Sequence, residues 1–311
     1  MDLRARLRSV APVTGRQFAA FRIAFGLYLA LHFAHLIPWG RELFSREGVL
    51  ADATLNPTFG VLPNLLAQVD TPAGVTYFLL ALVAGSILFT LGVTRRIAAL
   101  ALWYGWACLF NRNVLISNPS IAYVGLLLLL TTLVPATEPW RVTRQATSPK
   151  AFYVPAAVFF TAWFLMTTGY AFSGVIKLFS PSWADGTALW HVTNNPLART
   201  GAVRDLMLML PAWAFRLLTW QALALEILFL PLALWKVTRP FAWLAMVGMH
   251  LGIMLMVSFA DLSAGMLMLH AFTFDARWVP MARAAWRRVR RRLPLRAFAA
   301  RWRTSVVEGT A

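Results

Sequence analysis

Long stretches of this chain carry almost no charge, and nothing else limits its possible folds so severely. Residues 151–176 contain no Asp, Glu, Lys or Arg, and similar runs recur along all 311 residues. The chain is 59% hydrophobic and 13% charged, where soluble domains run near roughly 45–50% and about 25%. Uncharged runs near twenty residues read as membrane-crossing helices, because every backbone polar group in lipid must be satisfied within the segment. A closed β-barrel would alternate polar and apolar residues, and Ala122–Val134 does not alternate. The chain therefore reads as an all-α, polytopic integral membrane helix bundle.

Eight spans are predicted, at about 18–39, 74–92, 97–116, 121–135, 151–176, 213–235, 241–259 and 262–275. The fourth and eighth fall short of the roughly 20 residues of a straight crossing, so they either extend further or are partly re-entrant. With an even count both termini share a side. On that side fall Arg4, Arg6, Arg8 and Arg16, the Arg95-Arg96 turn, Arg141, Arg144 and Lys150, Lys236 and Arg239, and an Arg-rich tail. The basic residues opposite (Arg41, Arg46, Arg199, Arg204) are offset by Glu42, Glu47, Asp52, Asp70, Asp185 and Asp205. The positive-inside rule then makes both termini cytoplasmic. The expected location is the cell (inner) membrane, multi-pass. Phe18–Trp39 is too long for a signal-peptide core and no cleavage site follows it.

Two loops on the outer side are long, 40–73 and 177–212, where short turns would suffice to join antiparallel helices. Residues 1–17 form a basic N-terminus, 18–276 the transmembrane domain, and 277–311 a basic tail. In that tail Arg287, Arg288, Arg290, Arg291 and Arg292 interleave with Val289, Leu293, Leu295, Phe298 and Trp302. The pattern fits an amphipathic helix on a bilayer with anionic headgroups rather than nucleic acid, despite a net charge of +17. Cys108 is the single cysteine, which leaves no disulfide framework or cysteine metal cluster. No Walker loop, dinucleotide fingerprint, G-x-S-x-G or H-E-x-x-H is present. No clear internal repeat supports an inverted-repeat transporter.

Polar residues inside apolar spans are costly, and so mark candidate sites. Lys177 ends the fifth span; it is either a functional amine or a snorkelling anchor. Glu226, in the middle of the sixth span, is expected to pair with Arg22, Lys177 or a histidine, as a structural ion pair or a catalytic acid. His250 and His270 are either core imidazoles or proton shuttles. His32 and His35 share a helix face; without an acidic partner nearby they read as interfacial, and no metal site is expected. Asn111, Arg112 and Asn113 close the third span, to bond a helix end or to clamp an anionic or carbonyl group. By topology Lys177, Asn111 and Asn113 map to one outward-opening polar pocket, with His250 and Glu226 deeper.

An ordered set of motifs resembles the horizontally transferred transmembrane (HTTM) family, bacterial relatives of the membrane domain of vitamin K-dependent gamma-glutamyl carboxylase. They are Phe21-Arg22-Ile23-Ala24-Phe25-Gly26, then Leu43-Phe44-Ser45 and Glu47-Gly48-Val49-Leu50, then Gly92-Val93-Thr94-Arg95-Arg96 with Asn111-Arg112-Asn113. Tyr170-Ala171-Phe172-Ser173-Gly174-Val175-Ile176-Lys177-Leu178 follows, with Trp183 and Gly186 behind it. Last come His250-Leu251-Gly252, Phe259, Gly265-Met266 and Asp275-Ala276-Arg277-Trp278.

The resemblance implies that Lys177 holds the position of the lysine proposed to deprotonate reduced vitamin K, here a menaquinol-type quinone. His250 and Glu226 would be further catalytic members. Arg22, Asn111, Arg112, Asn113, Tyr170 and Trp183 would bind substrate. Two departures matter: Ile176 stands where the carboxylases carry a second lysine, and the large lumenal domain that follows their membrane region is not evident in a chain that ends in a basic tail. Three readings stay open: an enzyme acting on a quinol or a membrane-associated peptide, a non-catalytic subunit binding lipid, quinone or a partner protein (for example in secreted-peptide maturation), and a transporter.

Overall fold

A computed structural model describes residues 13–142 and 152–292. Among these the fold is all-α, with one isolated β-bridge, Ala198 to Val257. The principal helices are α1 (Gly15–Leu36), α2 (Pro72–Leu91), α3 (Arg95–Arg112), α4 (Pro119–Leu133), α5 (Ala156–Lys177), α6 (Ala212–Leu234), α7 (Arg239–Met256) and α8 (Asp261–Thr273), followed by α9 (Trp278–Arg292). Five of them, α1, α2, α5, α6 and α7, are long and apolar enough to cross a bilayer. Multiple apolar helices of this kind make a multi-pass membrane protein. Residues Arg4, Arg6, Arg8, Arg144, Lys150, Leu293, Leu295, Phe298 and Trp302 lie outside the described residues, and α9 belongs to a separate compact unit that begins at Asp275.

Local chemistry sets the helix ends. Thr14, Thr71 and Asn118 accept backbone N–H bonds at the starts of α1, α2 and α4, and Pro72 and Pro119 occupy first-turn positions that need no donor. Gly92 closes α2 with φ 73°, a left-handed conformation suited to glycine. The observed boundaries correct several expected ones. The third span stops at Arg112, where Asn113 turns the chain into a 3-10 turn, Val114–Ile116. The first and seventh each end about three residues earlier than the hydropathy suggests: residues 37–39 form a turn, and Val257 leaves α7 to make the bridge with Ala198. Helices α4 and α8 remain short, with 15 and 13 residues.

Consecutive helices pack as neighbours: α1 on α2, α2 on α3, α3 on α4, α5 on α6 and α6 on α7. Short α8 packs against α1, α4, α5 and α7, which puts it at the centre of the bundle. The two long connections, 37–71 and 178–211, lie at one end with the shorter 113–118 and 257–260; the turns 92–94 and 235–238 lie at the other. Neither long connection is structureless. The first holds a helix at Gly40–Phe44 and two 3-10 turns, the second three helices at Pro181–Ala184, Ala188–Asn194 and Ala202–Leu208.

Candidate functional site

Helix α5 carries Tyr170, Gly174 and Lys177 at spacings of four and three, which align them on one stripe. Glycine is needed at 174. A Cβ there would lie 2.9 Å from the backbone nitrogen of Ile227 and 3.1 Å from Cβ of Glu226. The bare backbone lets α6 come close, and its Glu226 meets Lys177. Lys177 Nζ donates to both carboxylate oxygens, at 2.5 and 2.6 Å. Of the three partners expected for Glu226, the lysine is the one found. The indole of Trp183, in the second long loop, lies 4.6 Å from the same ammonium. That distance suits a cation–π contact.

The next rung of the α5–α6 interface is aromatic. Phe229, one turn beyond Glu226, meets Tyr170 edge-on with ring centroids 4.9 Å apart. The phenol then links two helices further on: Tyr170 Oη lies 2.7 Å from His250 Nε2 on α7 and 2.8 Å from His270 Nε2 on α8. A phenol has one proton to donate, so it donates to one imidazole and accepts from the other. His250 Nδ1 lies 3.2 Å from Ser263 Oγ, whereas His270 Nδ1 has no partner. Leaving a lone pair bare is preferable to stranding an N–H. This assigns a direction: His270 Nε2–H donates to Tyr170, Tyr170 donates to His250 Nε2, and His250 Nδ1–H donates to Ser263. All four residues are buried. They form an ordered hydrogen-bond chain along which a proton can pass.

The remaining candidates are placed elsewhere. Arg112 donates to the carbonyls of Leu50, Ser45 and Ala51 at 2.6, 3.1 and 3.3 Å, and Asn113 to that of Leu43 at 2.7 Å. Asn111 donates to the Thr58 carbonyl and accepts from Asn56 through its own carbonyl, each at 2.5 Å. This corner pins the first long loop to α3. Arg22 lies near the start of α1, at the short-turn end of the bundle, away from Lys177. It donates to the carbonyls of Phe89, Thr90 and Trp140 and faces Glu138 at 3.5 Å. Arg95 shares that carboxylate at 2.9 Å. Glu138 was not among the expected members; it lies outside every span, where a carboxylate is unremarked.

A family model for the HTTM domain matches residues 11–278. No curated protein and no solved structure matches the chain. The match covers the bundle and the Tyr170–Lys177 stripe, and on that coverage the chain belongs to the HTTM domain family.

Proposed function

We propose that this is a membrane-embedded acid–base enzyme related to the carboxylase membrane domain, with the Lys177–Glu226 pair as its reactive centre. The observation that carries this reading is the bidentate contact itself, 2.5 and 2.6 Å, beside an indole and one rung from the Tyr170–His250–His270 chain. An ammonium and a carboxylate at contact are neutral together, which makes the pair tolerable near lipid. One proton moved from Nζ to Glu226 frees the amine lone pair. The amine then takes the proton of an acidic O–H or C–H of the substrate, and the bonding electrons stay on the substrate. The outcome is a protonated Glu226, an ammonium and a substrate anion, with Lys177 as its counter-ion. Tyr170 and His250, one rung along the same interface, are the groups proposed to take up the surplus proton.

A reduced quinone of the menaquinol type fits this donor set, since its planar ring matches the Trp183 face and its hydroxyl the Lys177 amine. When bound, it would supply an acidic hydroxyl and reducing power toward oxygen. Eight crossings with both termini cytoplasmic, in the inner membrane, complete the proposed topology. Strongly amphipathic α9, with Arg283, Arg287 and Arg288 and with Met281 and Trp286 exposed, suits a surface of anionic lipid. A membrane-associated peptide is the proposed second substrate.

The test is Lys177→Met in membranes supplied with reduced menaquinone, a glutamate-rich peptide and labelled bicarbonate. We expect wild type to consume the quinol and incorporate label, and the variant to be slower by about 100-fold or more, the usual scale for losing a proton-transfer group. Equal rates in both would remove Lys177 from the chemistry. Absence of turnover in wild type, with quinol still bound, would favour a quinone-binding subunit.

A further inference from the structure

At the long-loop end, on the far side of α8 from α5, a second titratable cluster is formed by residues that Lys177 and Glu226 do not touch. His32 Nδ1 lies 2.8 Å from Asp261 Oδ1, and Tyr28 Oη donates to the same oxygen at 2.9 Å. Asn118 Nδ2 reaches Asp261 Oδ2 at 3.4 Å, and its own Oδ1 is held by capping α4 through Ser120 N at 2.9 Å. Asp261 stands in the first turn of α8, where the helix dipole favours a charged carboxylate. A carboxylate only accepts, so the bond to His32 requires the proton on Nδ1. Nε2 is then left with a bare lone pair.

That atom is the point of interest. The His32 side chain is 10% exposed, and Nε2 is buried without a hydrogen-bond partner. A staple between α1 and α8 needs only the Nδ1 contact. It does not need a second nitrogen held as an acceptor against aromatic walls. Those walls are Trp106 and Phe110, with ring centroids 4.8 and 6.3 Å from the imidazole, and Trp106 is itself fixed by its indole N–H on the Ile121 carbonyl at 2.9 Å. An acceptor in an apolar, aromatic setting calls for a neutral donor on an apolar body. An anion would meet the Asp261 charge, and both carboxylate oxygens are already engaged.

We propose that His32, oriented by Asp261, is a binding site for the hydroxyl of an uncharged, membrane-soluble molecule. The O–H donates to Nε2, and the Asp261 carboxylate stabilises the positive charge this induces on the ring, the arrangement that makes a histidine–aspartate pair a strong acceptor. The sequence alone gave no acidic partner for His32, because Asp261 is 229 residues away. The proposal is independent of the Lys177 chemistry.

The experiment is 15N NMR of histidine-labelled full-length protein in micelles, with the His32 signals assigned from His32→Gln. In the free protein His32 should show a protonated Nδ1 and an unprotonated Nε2. Titrating 4-octylphenol should move the Nε2 resonance saturably, whereas octylbenzene, which lacks the hydroxyl, should not. A third arm with 1-dodecanol distinguishes an aryl from an alkyl source; a response to either hydroxyl upholds the site. Asp261→Asn, which favours the opposite tautomer, should weaken the response by about tenfold, and Lys177→Met should leave it unchanged. A protonated Nε2 in the free protein, an equal response to octylbenzene, or no saturable shift with either hydroxyl would overturn the proposal. These readouts need only wild type if Asp261→Asn does not fold.

Discussion

The bundle holds buried carboxylates against cations at both ends, and the two sites are built differently. At the short-turn end Arg22, Arg95 and Glu138 are sealed, with side-chain exposure of 0% for each. Their guanidinium groups donate to carbonyls: Arg95 to Thr131 and Val134 at 2.5 and 2.6 Å, and Arg22 to three more. At the long-loop end Lys177 is 25% exposed, and two of its contacts go to a single carboxylate. An arginine fork held on backbone oxygens ties α1, α3 and the segment after α4 together, shut away from solvent. An ammonium is a compact charge on a flexible stem that can give up a proton. One site reads as architecture; the other is the one proposed above for chemistry.

Removing each carboxylate sets that contrast to the test. Glu138→Ala leaves two buried guanidiniums without their counter-charge, and should cost about 3–5 kcal/mol. The thermal midpoint in detergent should fall far more than for Glu226→Gln, whose lysine can swing toward water. Equal losses would mean that both sites are structural. A smaller effect is expected from Gly174→Ala. Its methyl would press on a backbone atom of α6, so the helices must separate, at about 1–3 kcal/mol. Turnover should drop with it, because Glu226 moves off Lys177; retained turnover would show that the contact is dispensable. The smallest effect concerns the loop carrying Trp183. Asp185 accepts from the hydroxyl and the N–H of Thr187 at 2.6 and 2.8 Å, and these bonds hold its carboxyl below the ordinary 3.8. A depressed carboxyl favours the folded loop above its unfolded value and loses that contribution as pH falls through the lower folded one. Exchange of the Thr187 amide, corrected for its intrinsic rate, should therefore rise only below about pH 3.8.

Hydropathy makes the helices legible, because lipid leaves few alternatives for an uncharged run. Lys177 and Glu226 are legible for the same reason: a charge in such a run requires an explanation. Their pairing is narrower information, since spacing along one helix says nothing of which face meets which neighbour. Gly174 holds that information, but only once Ile227 is seen against it. The linkage of Tyr170 to His270, 100 residues away, depends on where α8 sits, and its short apolar run does not disclose that it occupies the middle of the bundle. The Asn111–Asn113 corner shows the converse. Its residue types suit anion binding, and all three side chains donate to carbonyls of a long loop.

Thirteen residues give α8 a length of about 20 Å, roughly 10 Å less than a typical hydrocarbon slab. Because α8 is enclosed by α1, α4, α5 and α7, and α1, α5 and α6 have 22, 22 and 23 residues, the missing length is a matter for the protein interior and not for the lipid. The first turn of α8 accordingly meets α1 at His32, about one turn short of Leu36, so a short central helix is what lets a carboxylate reach an imidazole below the rim of the bundle.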